Sequence, residues 1–397
     1  MDEQQIKKHR QMTETPVGPL ILRLALPCIV SMLVTAFYNM ADTFFVGMLK
    51  SNAATGAVGV VFALMAIIQA IGFFFGQGSG NFISRAIGHK NYEEASEMAS
   101  TGFFSALATG VLICVLGLLF LEPLAYLLGS TDTILPYTKA YLSVILLGAP
   151  WMTASLVLNN QLRFQGSAAY AMVGITSGAI LNIGLDPLLI FVFRMGIAGA
   201  AWATIISQFV SFCLLLLGCR RGGNLRLGIS HVRLKPYYFL WIFKGGLPSL
   251  ARQGLASVAT ICLNHAAAPY GDAAIAAMGV VQRIAMFTVM PLVGVSIAIQ
   301  PLLGFNYGAK NIARVRKTLW LGVAFATSLA VIMWALVHLF PNQIVGLFGE
   351  NGAGKTTLMK CILGLLPHQG SVTLDGAPIT EKNIERLSFA TCEHSFF

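Results

Sequence analysis

Long apolar runs, separated by short polar turns, fill the first 340 residues. Nine are long enough to cross a bilayer as helices, which takes about 20 residues. They cover 20–45, 54–80, 98–121, 134–158, 170–192, 197–218, 240–266, 274–303 and 318–340. Glycine and proline inside several of them suit helices in lipid better than helices in water. The pattern predicts an all-α polytopic membrane protein. The chain is polar up to Gly18, and its first apolar run is too long for the core of a cleavable signal.

Composition agrees. The chain is 56% hydrophobic and 11% charged, with mean hydropathy +0.73. A soluble domain carries about 25% charged residues. The net charge of +10 does not point to nucleic acid, because the basic residues mark the turns between apolar runs and form no single face. With the N-terminus inside, seventeen lysines and arginines fall in cytoplasmic segments and three (Lys50, Lys139, Arg194) in outer loops. That bias orients the chain with its N-terminus in the cytoplasm. The longest polar loop, Arg220–Lys244, separates six spans from three. The seven cysteines have no paired ligand spacing, so no metal site is expected.

Residues 54–129 recur at 274–349, displaced by 220 without a gap. Gly59-Val60-Val61 returns as Gly279-Val280-Val281, and Gly88-His89-Lys90-Asn91 as Gly308-Ala309-Lys310-Asn311. Six spans return the chain to the side it started from, so the two copies have parallel topology, related by an axis along the membrane normal. A complete second copy needs three spans more. The expected organisation is an N-lobe of six spans (1–219), a basic cytoplasmic linker (220–239), an incomplete C-lobe of three spans (240–341) and a distinct segment, 342–397.

Several ordered strings carry a family likeness. They are Leu26-Pro27, Tyr38-Asn39-Met40-Ala41-Asp42-Thr43-Phe44-Phe45-Val46-Gly47, Leu162-Arg163-Phe164-Gln165-Gly166, Asn182-Ile183-Gly184-Leu185-Asp186-Pro187, Ala201-Trp202-Ala203-Thr204 and Gln300-Pro301 with Gly304-Phe305-Asn306-Tyr307-Gly308. By these, residues 15–348 resemble the multidrug and toxic compound extrusion (MATE) antiporters. The resemblance implies two six-helix bundles, here cut after about nine helices. It also implies export of cationic organic compounds in exchange for protons or sodium, by a monomer in a bacterial-type plasma membrane, without a cofactor.

Asp42 and Asp186 are the two carboxylates within the predicted spans. An acid there costs roughly 2.5–3.5 kcal/mol on insertion scales and normally faces a cavity. Pro187 removes a backbone donor next to Asp186. Asn182 and Asp186 are four residues apart and share one helix face. The resemblance assigns Asp42, Asn182, Asp186 and Thr204 to a cation-coupling site. Tyr38, Asn39, Asn159, Arg252, Gln253 and Arg283 are the candidates for a substrate cavity.

The end of the chain reads differently. Gly349-Glu350-Asn351-Gly352-Ala353-Gly354-Lys355-Thr356-Thr357 has the spacing of a phosphate-binding loop, whose backbone cradles phosphate while lysine reaches the β/γ oxygens and threonine holds Mg²⁺. Ile344–Phe348 reads as the strand before it and Thr356–Leu366 as the helix after it. Residues 342–397 resemble the start of an ATP-binding-cassette (ABC) ATPase domain, a short α/β fragment. Nucleotide-binding candidates are Gly349, Asn351, Gly352, Gly354, Lys355, Thr356 and Thr357. The groups that orient water and metal in such an ATPase would lie past residue 397, and nine crossings place the loop outside. Neither ATP hydrolysis nor a Mg²⁺–ATP cofactor is expected, so the protein is not read as an enzyme. Two alternatives stand beside the antiporter reading: an inactive truncated fusion, and an ATP-binding fragment of an ABC transporter.

Overall fold

The computed structural model describes residues 3–49, 52–221, 224–225, 227–267, 272–339, 373–374 and 377–378. A short polar helix, α1 (Glu3–Glu14), precedes the long ones. These are α2 (Val17–Gly47), α3 (Asn52–Gly88), α4 (Tyr92–Leu119), α6 (Leu135–Phe164), α7 (Ala168–Pro187), α8 (Ile197–Cys219), α9 (Pro236–Ala267), α10 (Asp272–Gly308) and α11 (Ile312–Leu339). A two-turn helix, α5 (Leu121–Leu127), joins α4 to α6, and a π-helical turn at Leu188–Val192 extends α7. Each predicted apolar run lies within one helix, or a helix and its extension, to within two residues. The polar ends, which hydropathy misses, make most of the helices longer.

Eight of these helices, among the described residues, are apolar and long enough to cross a membrane. The run at 240–266 forms α9 (Pro236–Ala267), a further helix of membrane length outside those eight. Lys244, Arg252 and the Gly245-Gly246-Leu247-Pro248-Ser249 stretch weaken its apolar character. Leucine, valine and phenylalanine stand exposed along α4, α8 and α11, as lipid-facing surfaces require.

Contacts divide the chain into two units, Met1–Gly254 with Met290–Thr327, and Leu255–Val289 with Ser328–Phe397. In the first, α6 is the central post, packed against α3, α4, α7 and α8. It is less apolar than α3 yet far more buried, because Asn159, Asn160 and Gln161 bond to α7, α3 and α4 while Arg163 folds back on Asn159. Glycines spaced by four on α3 let α6 approach. A Cβ at Gly72, Gly76 or Gly80 would strike Leu156, Asn160 or Phe164 at 2.8, 2.9 and 2.1 Å. Small residues at this spacing seat helices closely in lipid, where packing replaces the hydrophobic drive.

The 220-residue repeat is visible in the backbone. After Gly88 and after Gly308 the chain turns through a lysine of positive φ, Lys90 at 62° and Lys310 at 58°. The same bonds close both turns: Asn91 N–H to Ala86 O and Asn311 N–H to Asn306 O, each 2.9 Å. Asn91 and Asn311 then cap α4 and α11 through their side-chain oxygens. The two turns also meet. A Cβ on Gly88 would lie 2.3 Å from Phe305 O, and one on Gly308 would lie 2.2 Å from Arg85 O. Phe305 is Arg85 advanced by 220, so the contact is reciprocal, as a local two-fold relation between the copies requires.

Helix α1 covers this meeting point. His9 Nε2–H donates to Gly88 O at 3.2 Å, Asn306 donates to Met12 O at 3.2 Å, and Arg314 donates to Thr15 O. In the second unit, the described residues past 339 form a two-residue antiparallel pair, β1 (Thr373–Leu374) and β2 (Ala377–Pro378). The predicted strand 344–348, the helix 356–366 and the whole phosphate-loop string lie outside the described residues.

Candidate functional site

Three helices of the first unit bring the sequence-predicted acids together. Asp42 lies five residues from the end of α2, Asp186 at the end of α7 and Thr204 in the second turn of α8. By connectivity these are the ends of the helices opposite α1. Asp186 is fully buried, and Asn182 and Thr204 are nearly so. Asn182 Nδ2–H donates to Asp186 Oδ1 at 3.4 Å, as the shared helix face predicts. Asp42 and Asp186 lie close enough to feel each other's charge. Pro187 and the π turn after it free backbone carbonyls at this level, a feature frequent at functional sites.

Four oxygens here have no hydrogen-bond partner: Asp42 Oδ1, Asn182 Oδ1, Asp186 Oδ2 and the Tyr141 hydroxyl. Leaving a buried polar atom unmade costs about 1–3 kcal/mol each. Among the described residues neither carboxylate has an ion-pair partner. An all-oxygen set of this kind suits a proton or a hard cation such as sodium. The described residues hold no cluster of three or more His, Cys, Asp or Glu that could bind a metal ion.

Sequence reading missed two members. Tyr141, fully buried on α6, lies within electrostatic reach of both acids, with its hydroxyl beside Thr204 but short of hydrogen-bonding geometry. Gln208 on α8 approaches Tyr38, which also senses both acids. Both are polar groups inside apolar runs at the depth of Asp186, a signal that was there to read.

The substrate-cavity candidates do not converge. Tyr38 lies beside the acid pair. Asn159 is 1% exposed, donating to Ala171 O at 3.0 Å and accepting from Arg163, so its amide is used in packing. Arg252 instead lines a separate cavity of about 460 Å³ between α3, α9 and α10. Gln253 is partly buried next to it in sequence. The side chains of Asn39 and Arg283 lie outside the described residues, as do all seven nucleotide-binding candidates.

A helical bundle with eight apolar membrane-length helices and two carboxylates unpaired among the described residues, together with an internal sequence repeat, is a multi-pass membrane transporter by architecture. The MatE family model matches residues 27–188 and 248–376. The chain belongs to the MatE family. It is 28% identical over 342 residues to the multidrug export protein MepA of Staphylococcus saprophyticus, covering 85% of this chain and 76% of that relative. The crystal structure of a MATE transporter in complex with MaL6 superposes with a TM-score of 0.83 at 28% identity, over 89% of this chain and 79% of that one. An outward-facing multidrug resistance MATE transporter gives a TM-score of 0.82 at 28% identity, over 88% and 78%. None of these supports an ATP-binding segment at 342–397, and the family match itself runs through the phosphate-loop string to residue 376.

Proposed function

We propose that the protein is a cation-coupled efflux transporter. It exports cationic organic compounds across a bacterial-type plasma membrane, in exchange for protons or sodium. Asp42, Asn182, Asp186 and Thr204 form the coupling site, with Tyr141 added. The observation that carries this reading is the set of four unpartnered oxygens around two neighbouring carboxylates that have no ion-pair partner among the described residues. Buried acids so placed demand a proton or a cation. Binding one would relax the repulsion between them and change how α2 packs on α7, which supplies the two states a transporter alternates between. Family membership and likeness to multidrug exporters support the substrate class.

Energetics constrain the stoichiometry. Exchanging one monovalent cation for one proton moves no net charge, so only the pH difference drives export, at about 1.4 kcal/mol or tenfold per pH unit. The membrane potential contributes only when more cations enter than leave.

The test is ethidium efflux from proteoliposomes carrying imposed gradients. Asp42→Asn and Asp186→Asn should each abolish gradient-driven efflux while ethidium binding persists. Full efflux by both variants sinks the assignment. Efflux that survives collapse of the pH gradient but requires sodium selects sodium over the proton.

The finer organisation is part of the same proposal: a cytoplasmic N-terminus, an N-lobe to residue 219, a linker to 239, an incomplete C-lobe to 341 and action as a monomer. The tail at 342–397 is read as a non-catalytic fragment of ABC ATPase type, on its sequence alone. Azido-ATP photolabelling of the full chain that depends on Lys355 would give it a nucleotide role; absence of labelling would remove it.

A further inference from the structure

The cavity between α3, α9 and α10 has the opposite chemistry to the acid site. Its charged lining is Arg85, Lys244 and Arg252, and no carboxylate among the described residues borders it. Its polar lining includes Gln77, Asn81, Ser249 and Gln300. Arg85 lies in the last turn of α3 and Gln77 two turns earlier, so the cavity reaches about 12 Å inward from the α1 end of the molecule.

Three observations show a built site. Arg85 and Lys244 are gathered on one indole: the guanidinium carbon is 5.7 Å and the ammonium nitrogen 6.0 Å from the Trp241 ring centroid. Arg85 also stands 5.1 Å from the Tyr307 ring. Among the described residues, none of the three cations has a carboxylate within 4 Å. Ser249, 92% buried, and Gln300 line this cavity, and the Ser249 hydroxyl and Gln300 Oε1 are buried without a hydrogen-bond partner. Two like charges held over one ring, with a third lining the same cavity, make a locus of positive potential that favours an anion.

We infer that this cavity is a binding site for a phosphate-bearing anion, distinct from the acid site and independent of the cation-export reading. Arg and Lys supply charge-assisted bonds to phosphate oxygens, with the fork of Arg suited to two of them. The unpartnered Ser249 hydroxyl and Gln300 Oε1 are polar groups in the cavity wall that a small side-chain rotation would bring to a ligand. The volume, about 460 Å³, falls in the range of small-molecule sites and exceeds what a bare phosphate fills. The ligand therefore carries a body, which Phe82 and Trp241 can cover. A soluble phosphate monoester and the headgroup of an anionic lipid share this chemistry.

The probe is umbelliferyl phosphate, measured by equilibrium dialysis against the full chain in nanodiscs. Umbelliferone, which lacks the phosphate, and ethidium are the controls. In phosphatidylcholine discs the phosphate ester should bind and umbelliferone should not. Lys244→Gln and Arg252→Gln should each weaken it about tenfold or more, the loss expected for one charge-assisted hydrogen bond. Lys244→Arg should restore most of the affinity, which separates loss of charge from loss of fold. Discs containing phosphatidylglycerol distinguish the sources. Unchanged ester binding identifies a soluble ligand, while competition by the lipid identifies a headgroup. No ester binding in phosphatidylcholine, binding indifferent to Lys244→Gln and Arg252→Gln, or displacement of the ester by ethidium would each overturn the proposal.

Discussion

Alanine at Gly88 or Gly308 should pry apart the two copies of the repeat. Its Cβ would meet a carbonyl oxygen at 2.3 Å in the first case and 2.2 Å in the second. Carbon and oxygen settle no closer than about 3.3 Å, so either alanine forces a retreat of about 1 Å. Both obstacles are backbone, and no rotamer change relieves the clash. Overpacking of this kind costs about 1–3 kcal/mol. The better helix propensity of alanine offsets about 0.5–1 kcal/mol, leaving a net loss of up to about 2.5 kcal/mol for each variant. The contact is reciprocal, so one retreat makes room for both methyl groups. The double variant should then lose clearly less than the sum of the single losses, with a coupling of about 0.5–3 kcal/mol.

The assay is thermal unfolding of purified protein in detergent, followed by tryptophan fluorescence. Gly59→Ala is the control, because its Cβ meets nothing within 4 Å. It should be neutral or slightly stabilising. Additive losses at Gly88 and Gly308, or losses no larger than at Gly59, would refute the reciprocal packing.

Further outcomes test other parts of the structure. Burial lowers the Lys8 ammonium from its ordinary 10.5 to about 8, against a smaller opposing effect of Cys219. The undocked helix therefore binds more protons between those values, and α1 docking strengthens as pH rises from about 8 to 10.5. A spin label at Gln4→Cys should lose mobility over that window, and Lys8→Met should flatten the change. Tyr141→Phe removes a buried hydroxyl that has no hydrogen bond, so the melting temperature should hold or rise. Its dependence on the coupling ion should nevertheless weaken by about two- to tenfold, the worth of one ligand oxygen; an unchanged ion dependence would remove Tyr141 from the site. Lys90→Val and Lys310→Val, at φ 62° and 58°, should each destabilise by about 1 kcal/mol or more, whereas glycine at either position should not.

The membrane helices were legible because lipid demands long apolar runs, and the repeat because its register never slips. The acid pair was legible because charge inside such runs is rare. Packing was harder to read. The central place of α6 is hidden in a helix less apolar than α3 and α4, since Asn159 and Arg163 bond to each other and Asn159 and Gln161 donate to backbone carbonyls of other helices inside the bundle. The same concealment turned Asn159 from an expected cavity residue into a packed one. Helix α1 is polar and invisible to hydropathy, yet His9 and Met12 are buried at the meeting of the two copies. The basic cavity draws its lining from α3, α9 and α10, and no spacing along one helix foretells it.

The repeat copies the backbone but not the charge, and that difference carries the chemistry. Helix α9 stands before α10 as α2 stands before α3. Yet α2 carries Asp42 and α9 has no acid at all, bearing Lys244 and Arg252 instead. Arg85 corresponds to Phe305, and Gln77 to Ile297. A strict duplicate would place identical sites around its axis. This chain places acids toward one end of its helices and cations toward the other, so the cation and the anion proposed for them would occupy opposite ends of one unit. Occupancy of the two sites should then be coupled through the α2–α10 and α3–α9 contacts, where Gly294 meets the Ile29 backbone and Gly246 meets Phe74 O. Backbone against backbone leaves little room to yield, so a shift of α2 on binding a cation should be felt at the cationic cavity.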